Sequence, residues 1–190
     1  MEVDIAANYL KKCLSVNPKH VLGLVTLGNL LFETGHSEHA AKYHKEALKI
    51  NPKEVQGLIG MGNALYDLGK HNEAINFYKQ ALKADDNLAD VHYNLGNALY
   101  QTNAVQEAIS FYLKAISLNP TKSESYYNLG NGYCVIDKFD DAIKNYKKAI
   151  ELDPYNAPAF YNLGNAYYMM GSTDKAIISY KMALGMTDSP

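Results

Sequence analysis

A glycine recurs along the whole chain at a fixed spacing of 34 residues. Each of these glycines follows a leucine or methionine and precedes an asparagine, and they are Gly28, Gly62, Gly96, Gly130 and Gly164. Alanines stand twelve and nineteen residues after each glycine. A period of this length predicts repeated supersecondary units that stack on one another, because one such unit cannot bury its own apolar face.

The spacing within one period predicts a pair of helices, which we call helix A and helix B. Apolar residues and glycine recur at i, i+1 and i+4, as in Leu95, Gly96 and Leu99, and form one stripe of a helix. The turn between the helices falls on residue types that tolerate a left-handed backbone, namely Gly35, Gly69, Asn103, Asp137 and Gly171. Prolines that cannot continue helix B close most units, at Pro18, Pro52, Pro120 and Pro154.

This pattern resembles the tetratricopeptide repeat (TPR) motif, with its Leu-Gly, Ala, aromatic and Pro landmarks. The resemblance covers residues 1–190 as a single array, with a half unit at 1–20 and full repeats 1 to 5 at 21–54, 55–88, 89–122, 123–156 and 157–190. It implies an all-α fold of eleven helices, a right-handed superhelical solenoid of antiparallel helix pairs. The first helix lacks a partner and the last repeat lacks a polar cap, so we expect a stretch of a longer array.

Helix A has a core side and a second side. Counted from the first residue of each repeat, positions 4, 7, 8 and 11 face the core, and positions 2, 5, 6, 9, 12 and 13 lie opposite. In TPR proteins this second side lines the concave groove where partner peptides lie. Position 9 is asparagine in all five full repeats, at Asn29, Asn63, Asn97, Asn131 and Asn165.

Asparagine and tyrosine dominate this predicted groove. Asparagine is a poor helix former, so its recurrence suggests an amide ladder that contacts the backbone of an extended peptide, with tyrosines adding amphipathic contact area. The alternative is that these residues serve packing between neighbouring repeats. The other candidate peptide-binding residues are Asn94, Asn128 and Asn162 at position 6, Tyr93, Tyr127 and Tyr161 at position 5, and Tyr66, Tyr100 and Tyr168 at position 12.

Charge narrows the class of partner. The net charge is -2 and all 18 basic residues are lysines, which gives no reason to expect nucleic acid. No lysine falls in the predicted groove, so a neutral or basic segment is favoured; the acidic residues there are Glu33, Asp67, Asp90 and Glu124. Some TPR domains clamp the acidic C-terminal tails of chaperones with basic residues beside their asparagines. Those basic residues are missing here, so such a tail is not the expected ligand.

Three functions fit this pattern. The first is a protein–protein interaction scaffold that binds an extended peptide or a partner helix. The second is the substrate-recruiting arm of a larger enzyme, since asparagine-lined TPR arms occur in the nucleocytoplasmic transferases that add sugars to serine and threonine. The third is self-association through uncapped end helices. The chain carries no G-x-S-x-G elbow, P-loop or dinucleotide fingerprint, so we expect no enzymatic activity and no cofactor.

Other signals point to ordinary structural roles. His36, His39 and His44 cluster near the start of one helix B, but a zinc site needs three or four converging ligands and His44 occupies a packing position. No apolar run approaches the ~20 residues that span a bilayer, and the N-terminus has no signal-peptide pattern. Cys13 and Cys134 are far apart in sequence, which favours free thiols in a reducing, cytoplasmic setting. Cys134 lies on the groove face without a basic activator.

Overall fold

The computed structural model describes residues 2–187, which form eleven α-helices and no strand. The helices are α1 Glu2–Val16, α2 Val21–Glu33, α3 Ser37–Ile50, α4 Val55–Asp67, α5 His71–Ala84, α6 Ala89–Gln101, α7 Val105–Leu118, α8 Ser123–Val135, α9 Phe139–Leu152, α10 Ala157–Met169 and α11 Thr173–Thr187. Helices α2, α4, α6, α8 and α10 are the A helices of repeats 1 to 5, and the helix after each of them is its helix B. The predicted all-α fold of helix pairs is confirmed.

The chain divides into two compact units between Thr102 and Asn103. The N-terminal unit contains α1 to α6, and the C-terminal unit contains α7 to α11. Within each unit, every helix packs against the next one along the chain, and A helices of consecutive repeats also touch, as α2 with α4 and α8 with α10.

Each turn from helix A to helix B contains one residue in the left-handed region. The φ angles are 77° at Gly35, 73° at Gly69, 72° at Gly171, 63° at Asn103 and 57° at Asp137. These are the five residues that the sequence predicts. In the first turn the amide after the left-handed residue bonds back into helix A, from His36 N to the Leu31 carbonyl oxygen at 2.8 Å, a pattern that caps the helix and reverses the chain.

Recurring glycines of helix A lie directly under a ring of helix B at Gly28, Gly62, Gly130 and Gly164. A Cβ added to Gly62 would lie 2.5 Å from Cε1 of Tyr78, closer than a real Cβ contact allows. The same relation holds for Gly130 under Tyr146, at 2.6 Å. Gly164 is likewise covered by Tyr180. Glycine is therefore required at position 8 because the helix B ring occupies the space of a side chain.

The recurring alanines of helix B are buried as predicted. The ten are at most 8% exposed, and they are Ala40, Ala47, Ala74, Ala81, Ala108, Ala115, Ala142, Ala149, Ala176 and Ala183. Their small side chains let the A helices approach closely. The last helix, α11, leaves four large apolar side chains exposed, at Ile177, Ile178, Met182 and Leu184, whereas α3 and α7 each leave one, Ile50 and Leu113.

Candidate functional site

The position 9 asparagines Asn63, Asn131 and Asn165 are hydrogen-bonded to the tyrosines that cover the preceding glycines. In each case the tyrosine hydroxyl donates to the asparagine Oδ1 fifteen residues earlier. The described pairs are Tyr78 with Asn63 at 2.8 Å, Tyr146 with Asn131 at 2.8 Å, and Tyr180 with Asn165 at 2.9 Å. Because the glycine at position 8 lets the ring lie flat on helix A, the hydroxyl reaches the next residue along that helix.

A second donor reaches the same oxygen from the following repeat. Asn94 Nδ2 donates to Asn63 Oδ1 at 3.1 Å, and Asn162 Nδ2 donates to Asn131 Oδ1 at 3.0 Å. We call Tyr78, Asn63 and Asn94 the N-terminal amide cluster, and Tyr146, Asn131 and Asn162 the C-terminal amide cluster. The central oxygen of each cluster accepts two hydrogen bonds, which uses both of its lone pairs.

These bonds fix which way each amide faces. Within residues 2–187, nothing donates to Asn94 Oδ1 and nothing accepts from Asn63 Nδ2, yet neither atom is buried. The same holds for Asn162 Oδ1 and Asn131 Nδ2 in the C-terminal amide cluster. Each cluster therefore presents an unpaired amide NH2 group and an unpaired amide oxygen to solvent, and together they can pair with one peptide group.

The buried hydroxyl of Tyr78 remains protonated. Tyr78 is 1% exposed, and burial, with Tyr66 nearby, raises its pKa well above the ordinary tyrosine value of 10.0. Tyr146 is equally buried and also donates to Cys134 Sγ at 3.4 Å. Burial raises the pKa of the Cys134 thiol, against the lowering effect of that hydrogen bond, and the Asp137 charge raises it further. Cys134 is thus a packed thiol and not an activated nucleophile.

Several of the predicted groove tyrosines pack against other rings. The position 5 rings of Tyr127 and Tyr161 lie 6.1 and 5.6 Å, centroid to centroid, from Tyr146 and Tyr180 of their own repeats. Tyr127 also accepts a hydrogen bond from Asn162 Nδ2 at 3.1 Å. The two ring contacts lie within a repeat, and the hydrogen bond from Asn162 links Tyr127 to the next repeat, while Tyr161 remains 56% exposed.

The remaining predicted residues also belong to the second side of the A helices. Tyr66 contacts His71 at a tilted angle, with centroids 5.0 Å apart, and Tyr168 is 64% exposed. The others are half-buried, and they are Asn29, Asn97, Asn128, Tyr93 and Tyr100.

Repeat 1 replaces the amide cluster with a different arrangement. His44 stands where the later repeats have tyrosine, and Gly60 stands where they have the position 6 asparagine. The His44 ring is fully buried against Gly28 and Gly60, and neither ring nitrogen has a hydrogen-bond partner within the described residues. Burial lowers the pKa of His44 to about 4, so the ring is neutral at physiological pH. Asn29 accordingly has no tyrosine hydroxyl to orient it.

Two open cavities lie beside the amide clusters, one in each compact unit. The cavity in the N-terminal unit has a volume of about 350 Å³ and is lined by Phe32, Asn63, Tyr66, Asp67, Tyr78, Asn94 and Asn97. The cavity in the C-terminal unit has a volume of about 720 Å³ and is lined by Tyr127, Ala157, Pro158, Tyr161, Asn162, Tyr180, Ala183 and Leu184. The first contains a carboxylate, whereas the second has only aromatic, aliphatic and amide side chains.

The histidines and cysteines form no further site in the part of the chain that the structure describes. Three or more metal-ligating side chains do not converge anywhere among these residues. His36 and His39 contact each other edge to face, with centroids 6.4 Å apart, while His44 is enclosed in the core. Cys13 and Cys134 are both free thiols. The described helices include none that is long and apolar enough to cross a membrane.

The helix B tyrosines, which bond to the predicted asparagines, were not among the residues predicted from the sequence. They recur with the same 34-residue period as the asparagines, at Tyr78, Tyr112, Tyr146 and Tyr180. Their fixed offset of fifteen residues from each position 9 asparagine was the available signal.

Comparison with known proteins places this architecture in one family. Models described as "TPR repeat" match residues 62–103 and 131–171, and models described as "Tetratricopeptide repeat" match 23–54, 89–122, 111–144 and 157–186. A crystal structure of MamA is 31% identical, with 85% of this chain and 95% of that chain covered and a TM-score of 0.80. No curated protein matches the sequence.

Two further solved structures share the fold. YrrB, described as a TPR protein with an unusual peptide-binding site, is 24% identical, with 95% of this chain and 93% of that chain covered and a TM-score of 0.81. MamA from Desulfovibrio magneticus RS-1 is 22% identical, with 89% and 97% covered and a TM-score of 0.83. The chain belongs to the tetratricopeptide repeat family, and its fold and neighbours support a protein–protein interaction scaffold.

Removing the hydroxyl of Tyr78 tests the amide cluster as a stabilising element. Tyr78→Phe deletes one of the two donors to Asn63 Oδ1, and we expect a loss of about 1 kcal/mol in the free energy of unfolding, measured by urea titration. Tyr155→Phe, at an 84% exposed ring, is the control and should change nothing. In a double-mutant cycle with Asn63→Ala the two losses should not add; full additivity would mean that the hydrogen bond contributes nothing.

The buried His44 predicts a specific loss of stability in mild acid. In the unfolded chain His44 takes up a proton near the ordinary pKa of 6.5, whereas in the folded chain it stays neutral until about pH 4. The contribution of neutral His44 to the free energy of unfolding is therefore fully present above pH 6.5 and is lost as the pH drops from there toward 4. The free energy of unfolding should fall by about 2 kcal/mol between roughly pH 7.5 and pH 5.

The His44 contribution is isolated by comparing the parent protein with a variant at this position. His44→Tyr installs the residue found in the later repeats, and urea unfolding of both proteins at each pH gives the difference. We expect the variant to lose about 2 kcal/mol less than the parent on acidification. Equal losses would show that His44 does not titrate differently in the folded chain.

Proposed function

We propose that this chain binds an extended segment of a partner protein along the second side of its A helices. The observation that carries the proposal is the fixed orientation of the amides in the two clusters. Each cluster leaves one amide NH2 group and one amide oxygen unpaired at the surface. A neutral or basic segment suits the carboxylates on this side.

The proposed contact is with the backbone of the ligand. A peptide carbonyl would accept from Nδ2 of Asn63 or Asn131, and a peptide N–H would donate to Oδ1 of Asn94 or Asn162. Because internal hydrogen bonds already orient these amides, little side-chain freedom is lost on binding. Backbone contacts of this kind bind a chain largely independently of its sequence. The cavities beside the clusters then select among side chains.

The solved relatives fit this proposal. YrrB carries the description of a peptide-binding TPR protein, and its fold is the one found here. In the recruiting arm of a larger enzyme the same surface would bind the substrate protein, so that alternative uses the same chemistry and differs only in what is attached to the array.

An isosteric substitution separates binding from folding. Asn63→Asp and Asn131→Asp keep an oxygen that accepts from the tyrosine and the following asparagine, but they replace the outward N–H group with a second oxygen. We expect each change to weaken binding about tenfold, the size of one lost hydrogen bond plus repulsion. Ligands would be selected from a displayed library of random peptides and measured by fluorescence anisotropy.

The matched control is Asn76→Asp, which makes the same charge change at an exposed residue of α5. It should leave peptide affinity unchanged, and circular dichroism should show the same helicity in all variants. If the Asn63 and Asn131 variants bind selected peptides as tightly as the parent, the amides do not contact the ligand.

Self-association is a second candidate because of the apolar side chains on α11. Ile178 and Leu184 are 62% and 66% exposed, and contiguous exposed apolar surface marks interaction sites. We expect Ile178→Lys to abolish a concentration-dependent dimer in sedimentation velocity. A parent protein that stays monomeric across the concentration range would rule this candidate out.

A further inference from the structure

We propose that the cavity in the N-terminal unit is a pocket for a lysine or arginine side chain of the bound segment. The inference rests on the proposed function and adds a preference for a particular residue at one place. Three features of the cavity support it: a fixed carboxylate, two aromatic rings, and the ends of two helices.

The carboxylate is Asp67, the last residue of α4. Its Oδ2 accepts a hydrogen bond of 2.5 Å from the hydroxyl of Ser37, which is buried at the start of α3. The bond holds the carboxylate in one orientation, while the residue itself remains exposed. Asp67 therefore presents a fixed negative charge that still reaches solvent and an incoming cation.

The rings are Phe32 and Tyr66, both half-buried in the cavity lining. Their faces suit the aliphatic stem of a long basic side chain and its charged head, since cations are attracted to aromatic faces. The fully buried ring of Tyr78 is also part of the lining. A volume of about 350 Å³ is enough for one such side chain and not for a larger folded element.

The helix ends add to the negative potential. Phe32 and Glu33 end α2, and Tyr66 and Asp67 end α4, so the last turns of two helices lie at this part of the surface. A helix C-terminus carries a partial negative charge that favours cations. The A helices of this unit contain three carboxylates, Glu33, Asp67 and Asp90, and no lysine.

The C-terminal unit provides an internal contrast. The residues equivalent to Asp67 in repeats 4 and 5 are Val135 and Met169, so the A helices of these repeats carry no carboxylate at this position. The basic residue should therefore be required only where the segment meets the N-terminal unit.

The test combines a change in the protein with a change in the ligand. Peptides selected from a random displayed library on the whole chain should be enriched in lysine or arginine. Replacing that residue in a selected peptide by norleucine (for lysine) or citrulline (for arginine) should weaken binding to the parent protein about tenfold. Binding to Asp67→Asn should change less than twofold on the same replacement, because the pocket has already lost its charge.

Asp67→Asn retains an oxygen that accepts from Ser37, so the variant should unfold at the same urea concentration as the parent. Glu73→Gln, at an exposed carboxylate in the first turn of α5, removes the same charge elsewhere and should keep the full tenfold response. Selected peptides that bind without any basic preference, or equal responses in the parent and Asp67→Asn, would overturn the pocket and leave the proposed function intact. A library that yields no binder at all would overturn both proposals.

Discussion

The contact between a helix B tyrosine ring and a helix A glycine determines the rest of the arrangement. The ring occupies the place of the missing Cβ, as Tyr78 does over Gly62. That position brings the hydroxyl to the asparagine that follows the glycine, and the asparagine oxygen in turn accepts from the next repeat. One close approach between two helices thereby fixes the packing within a repeat, a polar link between repeats, and the direction of a surface amide.

The binding chemistry proposed here is a consequence of that internal order. A free asparagine side chain rotates and offers its donor or its acceptor with little preference. In the amide clusters the oxygen of the first asparagine and the nitrogen of the second are already engaged, so the outward atoms are set before any ligand arrives. Repeat 1 shows the dependence clearly, because replacing tyrosine by His44 and the next asparagine by Gly60 leaves Asn29 without this support.

Much of the fold could be predicted from the sequence because it depends on local residue types at a fixed period. The left-handed turns at Asn103 and Asp137 follow from what those side chains tolerate, and the buried alanines follow from spacing alone. The orientation of the amides could not be predicted, because it depends on whether a hydroxyl fifteen residues away reaches one oxygen across two helices. The pocket at Asp67 could not be predicted from the sequence either, because it depends on the Ser37 hydroxyl, thirty residues away in sequence.

The central claim is that internally oriented amides contact the backbone of a bound segment. A crystal structure of the chain with a selected peptide tests it most directly. The account predicts peptide carbonyl oxygens at about 2.9 Å from Nδ2 of Asn63 or Asn131 and peptide N–H groups at a similar distance from Oδ1 of Asn94 or Asn162, with the tyrosine bonds unchanged. A peptide held only by side-chain contacts with the tyrosines, or bound on the helix B surface, would contradict it.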